Sequence, residues 1–305
     1  GIRFVQPNGT VEAEISSGFA LAPRLVLRVP GAAGKPDRVL TGWGRDMMRR
    51  KDTANSVVFT LAHLSGKTAV QETLHQAATQ RPDPQNAAVA PDGSIMLAWF
   101  SDKYTVQAAI VSPDGKTVKT LLSAPMISRL AFLKAESGNY TLAVARVYGD
   151  QPGSDGGLFL FENEKWRQLP TVRGVRGLWA DIRPDGWDLW VGDCWDKDYG
   201  RVAKACISLV FVRGTEAQRR QIAEIPGGFS VFDILPCNLF GPKKPGKLIQ
   251  TNNQLLWISA DGKEGPQYLA SWSSPSPPVV ADIDGDGFDE VLIATPEPLA
   301  MKAKK

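Results

Sequence analysis

The chain is 305 residues long, with 35 Lys and Arg against 32 Asp and Glu, two His and three Cys. Its 43% hydrophobic and 22% charged residues are those of an ordinary globular protein and exclude a disordered or fibrous chain. An evenly spread net charge of +3 argues against nucleic acid as a partner, and no apolar run approaches the ~18 residues that a membrane span needs.

Gly (29) and Pro (22) are above their usual share, so frequent turns and short strands are expected rather than long helices. Two strand-like runs open the chain, Ile2 to Gln6 and Val11 to Ile15. Alternation of apolar and polar residues, as in Arg24-Leu25-Val26-Leu27-Arg28-Val29, then predicts one strand after another. Between the runs around Leu40 and Val57, the stretch Arg45-Asp46-Met47-Met48-Arg49-Arg50-Lys51 reads as a basic hairpin tip, and Arg45, Arg49 and Arg50 are candidate contacts for an anion or a protein. The stretches 54–75 and 215–224 resemble helix but break down into β-branched and polar runs. His63 lies in an apolar alternating run and His75 near a strand end, so the only two histidines support no Ser-His-Asp arrangement. Asp-Gly turns recur at Asp92-Gly93, Asp114-Gly115, Asp155-Gly156, Asp185-Gly186, Asp261-Gly262 and Asp286-Gly287, a pattern of hairpin following hairpin.

Cys194 and Cys206 flank a polar turn, and a hairpin pivoting at Gly200 sets them directly opposite each other, as a cross-strand disulfide requires. The other reading is three buried thiols, with Cys237 the third. No Cys-x₂-Cys spacing points to zinc. The chain opens on Gly1 rather than Met, from which a removed signal peptide and a secreted or periplasmic location are expected.

The organising feature is an internal repeat. Ala180-Asp181-Ile182-Arg183-Pro184-Asp185-Gly186-Trp187 aligns without a gap on Ala281-Asp282-Ile283-Asp284-Gly285-Asp286-Gly287-Phe288, and Val231-Phe232-Asp233-Ile234 repeats the start of the pattern between them. The aligned aspartates stand 52 and 49 residues apart, a period that fits one four-stranded propeller blade. An all-β, single-domain β-propeller over 1–305 is therefore expected, with blades at roughly 19–79, 85–125, 127–173, 174–227 and 228–273. Residues 277–305 and 1–17 are each half a unit, and their pairing is expected to close a sixth blade, with seven blades as the alternative count.

The run Asp282-Ile283-Asp284-Gly285-Asp286-Gly287-Phe288-Asp289-Glu290 sets carboxylates at positions 1, 3, 5 and 9 of a loop and a peptide carbonyl at position 7, a donor set suited to a hard cation such as calcium. Strand-like neighbours and Ile293 at position 12 exclude an EF-hand. With Val291-Leu292-Ile293-Ala294 the run resembles the calcium loop of FG-GAP/VCBS repeats, the blade units of integrin-α-like propellers. That resemblance implies calcium held by the side chains of Asp282, Asp284, Asp286 and Glu290 and by the carbonyl of Phe288. In the copy at Asp181, Arg183 and Pro184 replace an Asp and a Gly, so no metal is expected there and Arg183 stands in as the local cation. The turns at Asp92-Gly93 and Ser112-Pro113-Asp114-Gly115 look more like TolB-type or sialidase-like propeller repeats, although the sialidase Asp-box has a further residue between Asp and Gly and a Trp after Thr.

Nine Trp are mostly assigned to packing, with Trp187, at the loop position equivalent to Phe288, as a candidate for stacking on a sugar. The expected function is that of a monomeric, non-catalytic, exported calcium-binding scaffold for a protein or carbohydrate ligand. A carbohydrate-active enzyme, lyase or glycosidase, and a TolB-like periplasmic accessory protein are the alternatives.

Overall fold

The computed structural model describes residues 2–5, 11–15, 21–30, 37–45, 55–136, 138–147, 156–171, 174–193, 204–227, 230–271, 278–282 and 285–292. The regular elements among them are strands: β1 (Ile2–Val5), β2 (Val11–Ile15), β3 (Ala22–Val29), β4 (Arg38–Gly44), β5 (Ser56–Ser65), β6 (Thr68–Ala78), β7 (Pro84–Val89), β8 (Ile95–Phe100), β9 (Thr105–Val111), β10 (Val118–Pro125), β11 (Ile127–Glu136) and β12 (Asn139–Arg146). They continue as β13 (Gly157–Glu162), β14 (Lys165–Gln168), β15 (Val175–Arg183), β16 (Gly186–Asp193), β17 (Lys204–Arg213), β18 (Glu216–Pro226), β19 (Val231–Cys237), β20 (Gly246–Thr251), β21 (Gln254–Ser259), β22 (Gln267–Ser271), β23 (Val279–Ala281) and β24 (Glu290–Leu292). No helix among the described residues is long and apolar enough to cross a membrane.

The fold is an all-β propeller with four-stranded blades: β3–β6, β7–β10, β11–β14, β15–β18 and β19–β22 each form an antiparallel sheet in chain order. Burial explains the sequence pattern within a blade. β8 is buried at every residue and reads as a continuous apolar run, because both of its faces are covered. β6 and β18 are largely exposed and alternate, because one face meets water.

The chain divides into two compact units, residues 1–143 with 160–166, and residues 144–159 with 167–305. In the first, Val29, Leu40, Phe59, Leu61, Ile95, Leu97, Trp99 and Val111 join the first two blades in one apolar cluster. In the second, Trp190, Ile207, Leu209, Val231, Ile234, Ile249 and Ile258 do the same for the blades β15–β18 and β19–β22.

The blade count corrects the sequence reading. Among the described residues five four-stranded blades are present, neither six nor seven, because the terminal strands form separate two-stranded sheets: β1 pairs with β2, and β23 pairs with β24. Each half covers its apolar face locally. Ile2 and Ile15 pack on Trp43, Val58 and Ala62 of the first blade. Val280 and Val291 pack on Cys237, Leu248, Leu255 and Trp257 of the last.

Blades meet through glycine. In the first unit a Cβ on Gly42 would lie 2.8 Å from Pro84 Cβ, and one on Gly44 would lie 2.6 Å from the Pro82 carbonyl. In the second unit a Cβ on Gly177 would lie 2.9 Å from Val231 Cγ1, and one on Gly192, its cross-strand partner, would overlap the same valine. Pro84 and Val231 hold equivalent places, each the first residue of its blade's first strand. The residue after each is a β-bulge, Gln85 and Phe232, and the same bulge falls at Arg24 in β3 and Arg176 in β15.

Because Val231 is fully buried, a methyl group at Gly192 has nowhere to go. Gly192→Ala is expected to lower unfolding free energy by about 1–3 kcal/mol, and Val231→Ala in the same chain to recover part of it by making room. Urea unfolding of the single and double variants checks this, and full stability in Gly192→Ala refutes the seating.

Candidate functional site

The loop 282–290 joins β23 to β24, and its shape comes from the first carboxylate. Asp282 Oδ1 accepts the Gly285 amide at 2.7 Å and Oδ2 accepts the Gly287 amide at 2.9 Å. Asp286 Oδ1 accepts the Phe288 amide at 2.8 Å. Gly285 and Gly287 sit at φ of 79° and 88°, the left-handed region that a side chain disfavours. Each carboxylate oxygen carries a second lone pair that these amides leave available to a cation. Asp284 lies outside the described residues. Among the described residues no three His, Cys, Asp or Glu side chains converge as a metal site, so Asp282, Asp286 and Glu290 do not make one without it.

Asp289, to which the sequence reading gave no role, fastens the loop. Its carboxylate accepts the Asn238 amide at 2.5 Å, and its own amide donates to the Asn238 carbonyl at 3.3 Å. Phe288 is 47% exposed, yet its ring covers Gly241, where a Cβ would stand 3.0 Å from it.

The repeat copy at Asp181 is a charge cluster. Lys247 Nζ stands 2.7 Å from Asp181 Oδ1 with only 5% of its side chain exposed, between the rings of Trp179 and Trp190 at 5.5 and 5.9 Å. Both indole N–H groups donate to the same carboxylate, Trp179 at 2.8 Å and Trp190 at 3.1 Å. Burial lowers the Lys247 pKa from its ordinary value, and the hydrogen bond and charge of Asp181 oppose the shift. Arg183 does act as a local cation, but toward Asp188, at 2.7 Å, which Arg213 also grips at 2.7 Å. Burial alone raises the Asp188 carboxyl, but the hydrogen bonds and charges of Arg213 and Arg183 outweigh it and hold the pKa down. These are structural ion pairs, each group meeting an opposite charge.

The remaining sequence candidates are scattered. Trp187 lies in strand β16, half-buried opposite Ile182 and Val212, with its carbonyl accepting from Arg213 at 2.9 Å. Trp190, assigned to packing, is fully buried, as are Trp43, Trp99 and Trp257. Arg45 is exposed and its amide donates to Pro82 at 2.6 Å, while Arg49 and Arg50 lie outside the described residues. Cys194 also lies outside them. Cys206 is buried, with Sγ 3.8 Å from Ser208 Oγ and 3.7 Å from Arg219 Nη2. The β16–β17 ladder pairs Gly192 with Ile207, one residue away from the register that a pivot at Gly200 produces.

The bulges supply what the sequence reading missed. Arg24 reaches forward to Asp83 of the next blade, Gln85 Nε2 donates to the Ser128 carbonyl at 3.2 Å, and Arg176 lies over the Phe232 ring at 4.0 Å. A residue that no ladder partner holds is free to aim its side chain at the neighbouring blade. Pairing register is a long-range property, so no local signal marks these positions.

Two expectations follow. Asp181→Leu strands a buried ammonium and two indole donors and is expected to cost about 3–5 kcal/mol, whereas Asp181→Leu with Lys247→Met removes both charges and costs much less. A double-mutant cycle by chemical denaturation reads the difference, and additive losses refute the coupling. His75 packs against Trp99 with ring centroids 4.9 Å apart and planes tilted by 52°, its Nε2 has no partner among the described residues, and burial lowers its pKa from 6.5. A lowered histidine binds its proton more readily when unfolded, so stability is expected to fall as pH drops below about 6.5. His75→Phe flattens that part of the pH profile, and an unchanged slope in the variant rejects the assignment.

No protein-family profile and no curated protein sequence matches the chain. Among solved structures it is similar to the Saccharomyces cerevisiae Sqt1, at 8% identity over 89% of this chain and 93% of that one, TM-score 0.44. It is also similar to the Dos1 propeller, at 11% identity over 78% of this chain, TM-score 0.42, and spans 56% of that chain's length. A third is an exo-beta-1,3-galactanase from Clostridium thermocellum, at 10% identity over 87% of this chain and 73% of that one, TM-score 0.35. Likenesses at this level say nothing about ligand or activity.

Proposed function

We propose that the chain is a non-catalytic, exported binding propeller whose 282–290 loop is stiffened by calcium and whose loops hold a protein or glycan ligand. The observation that carries the non-catalytic reading is the pairing of buried ionisable groups. Asp181 is taken by Lys247 and two indoles, and Asp188 by two arginines. His75 is half-buried against Trp99 with its pKa lowered. A general acid or nucleophile needs a group within reach of substrate in a cleft, whereas Asp181 and Asp188 are each engaged with fixed cations. A cleft of about 340 Å³ in the first unit is lined by Asp92, Lys119 and Tyr140 among others, and there the Asp92 carboxylate accepts the Ser94 amide while the Tyr140 hydroxyl donates to the Leu121 carbonyl.

For calcium, the support is the donor chemistry and the shape of the loop. Asp282, Asp284, Asp286 and Glu290, with the Phe288 carbonyl, would hold the ion, and the ion would offset the repulsion among four carboxylates. Weak sites of this type suit the calcium levels found outside cells.

The test is thermal unfolding of metal-stripped protein with and without calcium, beside a polysaccharide panel assayed for new reducing ends or unsaturated products. At ~100-fold excess over the dissociation constant, calcium is expected to add about 2.7 kcal/mol, and Asp286→Ala to lose that gain. Equal midpoints with and without calcium reject the metal, and product from any polysaccharide rejects the non-catalytic reading.

A further inference from the structure

In the first unit, the seam between the blade β7–β10 and the strands β11 and β12 is lined by small residues. Ala90, just after β7, and Ala135, in β11, are buried together with Met96, and Ala88, Ile110 and Phe132 pack against them. Alanines reach less far than the Phe59, Leu97 and Trp99 of the preceding seam, and the cleft of about 340 Å³ opens beside them, walled by Ile110, Gly138, Asn139 and Tyr140. A Cβ on Gly138 would meet nothing within 4 Å, so the cleft is open on that side. Its volume lies near the lower end of the ~300–1,000 Å³ range of small-molecule sites.

The same cleft is lined by one carboxylate and one ammonium. Asp92 stands in the turn between β7 and β8, where its Oδ1 accepts the Ser94 amide at 2.9 Å, and hydrogen bonds from Ser94 hold its carboxyl below the ordinary value. Lys119, in β10, is the direct cross-strand partner of Ile110, so its stem runs on the face of the sheet that carries the apolar wall. Among the described residues neither group has an ion-pair partner: Asp92 is held by Ser94, and no acceptor meets the Lys119 ammonium. Three other Asp-Gly turns differ in this respect. Asp114 has Lys116 at 3.7 Å, Asp185 has Arg213 at 2.8 Å and Asp261 has Lys263 at 3.2 Å. Two residues after Asp92 stands a serine where the turns at Asp114 and Asp261 have their lysine, so this turn supplies no cation of its own. The Tyr140 hydroxyl is taken by the Leu121 carbonyl at 3.1 Å, which leaves the Asn139 carboxamide as the remaining polar side chain of the wall. A carboxylate and an ammonium that line one cleft without pairing, beside an apolar wall, complement a molecule that carries both charges and an apolar body.

We propose that this cleft binds a free α-amino acid with an apolar side chain, its ammonium on Asp92, its carboxylate on Lys119 and the Asn139 amide, and its side chain on Ala90, Ile110 and Ala135. The site is separate from the macromolecular ligand proposed above and stands or falls without it.

The test is calorimetric titration of the full chain with leucine, beside isocaproate, which lacks the ammonium, and isoamylamine, which lacks the carboxylate. Leucine is expected to bind about tenfold or more tightly than either, and to bind less tightly as salt rises, because exposed charge pairs are screened. Asp92→Asn keeps an acceptor for the Ser94 amide and is expected to weaken leucine by about tenfold while leaving isocaproate unchanged. Lys119→Met keeps an apolar stem beside Ile110 and is expected to weaken leucine by a similar factor while leaving isoamylamine unchanged. This crossed pattern separates loss of a charge from loss of the fold, which weakens all three ligands together. The inference is overturned by leucine binding that is absent, that is no tighter than that of isocaproate or isoamylamine, or that survives both substitutions. Loss of all three ligands alike in both variants overturns it as well.

Discussion

The closeness of neighbouring blades is the constraint from which the rest follows. Gly42 and Gly44 receive the segment around Pro84, and Gly177 and Gly192 receive Val231. A side chain at any of these positions would push the next blade outward. That would open the apolar seam formed by Phe59, Leu97 and Trp99 in one unit and by Trp190, Ile207 and Ile249 in the other. Interiors packed at crystal-like density do not absorb such a displacement. The seat also sets the next residue apart: once Pro84 or Val231 is lodged, the chain bulges at Gln85 or Phe232 before the ladder resumes. Packing thus decides which side chains leave the sheet and reach the neighbouring blade.

Electrostatics is arranged differently in the two units. In the second, buried charge is neutralised locally: Lys247 by Asp181, Asp188 by Arg183 and Arg213. Such pairs contribute little net stability, since desolvation offsets much of their attraction, but breaking one is costly. In the first, Arg24 and Arg81 share Asp83 at ion-pair distances, with Arg129 adding a like charge.

Four of the Asp-Gly turns behave alike. Asp92, Asp114, Asp261 and Asp286 each accept the amide two residues on, and the following glycines take positive φ. The same local chemistry holds Asp261 at about 2, through the Ser259 hydroxyl and the Lys263 amide. The acidic loop at 282–290 is one member of this series, distinguished by its additional carboxylates and by the Asp289 fastening to Asn238.

Local chemistry was legible in the sequence, because it acts over a few residues. Alternation in β6 and continuous apolarity in β8 mark strands with one and two covered faces, the Asp-Gly pairs mark turns, and a period near 50 residues marks four-stranded blades. The ion pairs between distant residues were not legible: Lys247 lies 66 residues beyond Asp181, and Asp83 lies 59 beyond Arg24. Nor was the blade count, which turned on whether β1–β2 and β23–β24 joined each other or covered Trp43 and Trp257 of their own neighbours. Sequence by itself determined the strands, the turns and the repeat, since backbone preference and side-chain periodicity are local. Only the tertiary structure decided the number of blades, the bulged register and the arginine cluster, because these depend on which distant surfaces come within van der Waals reach.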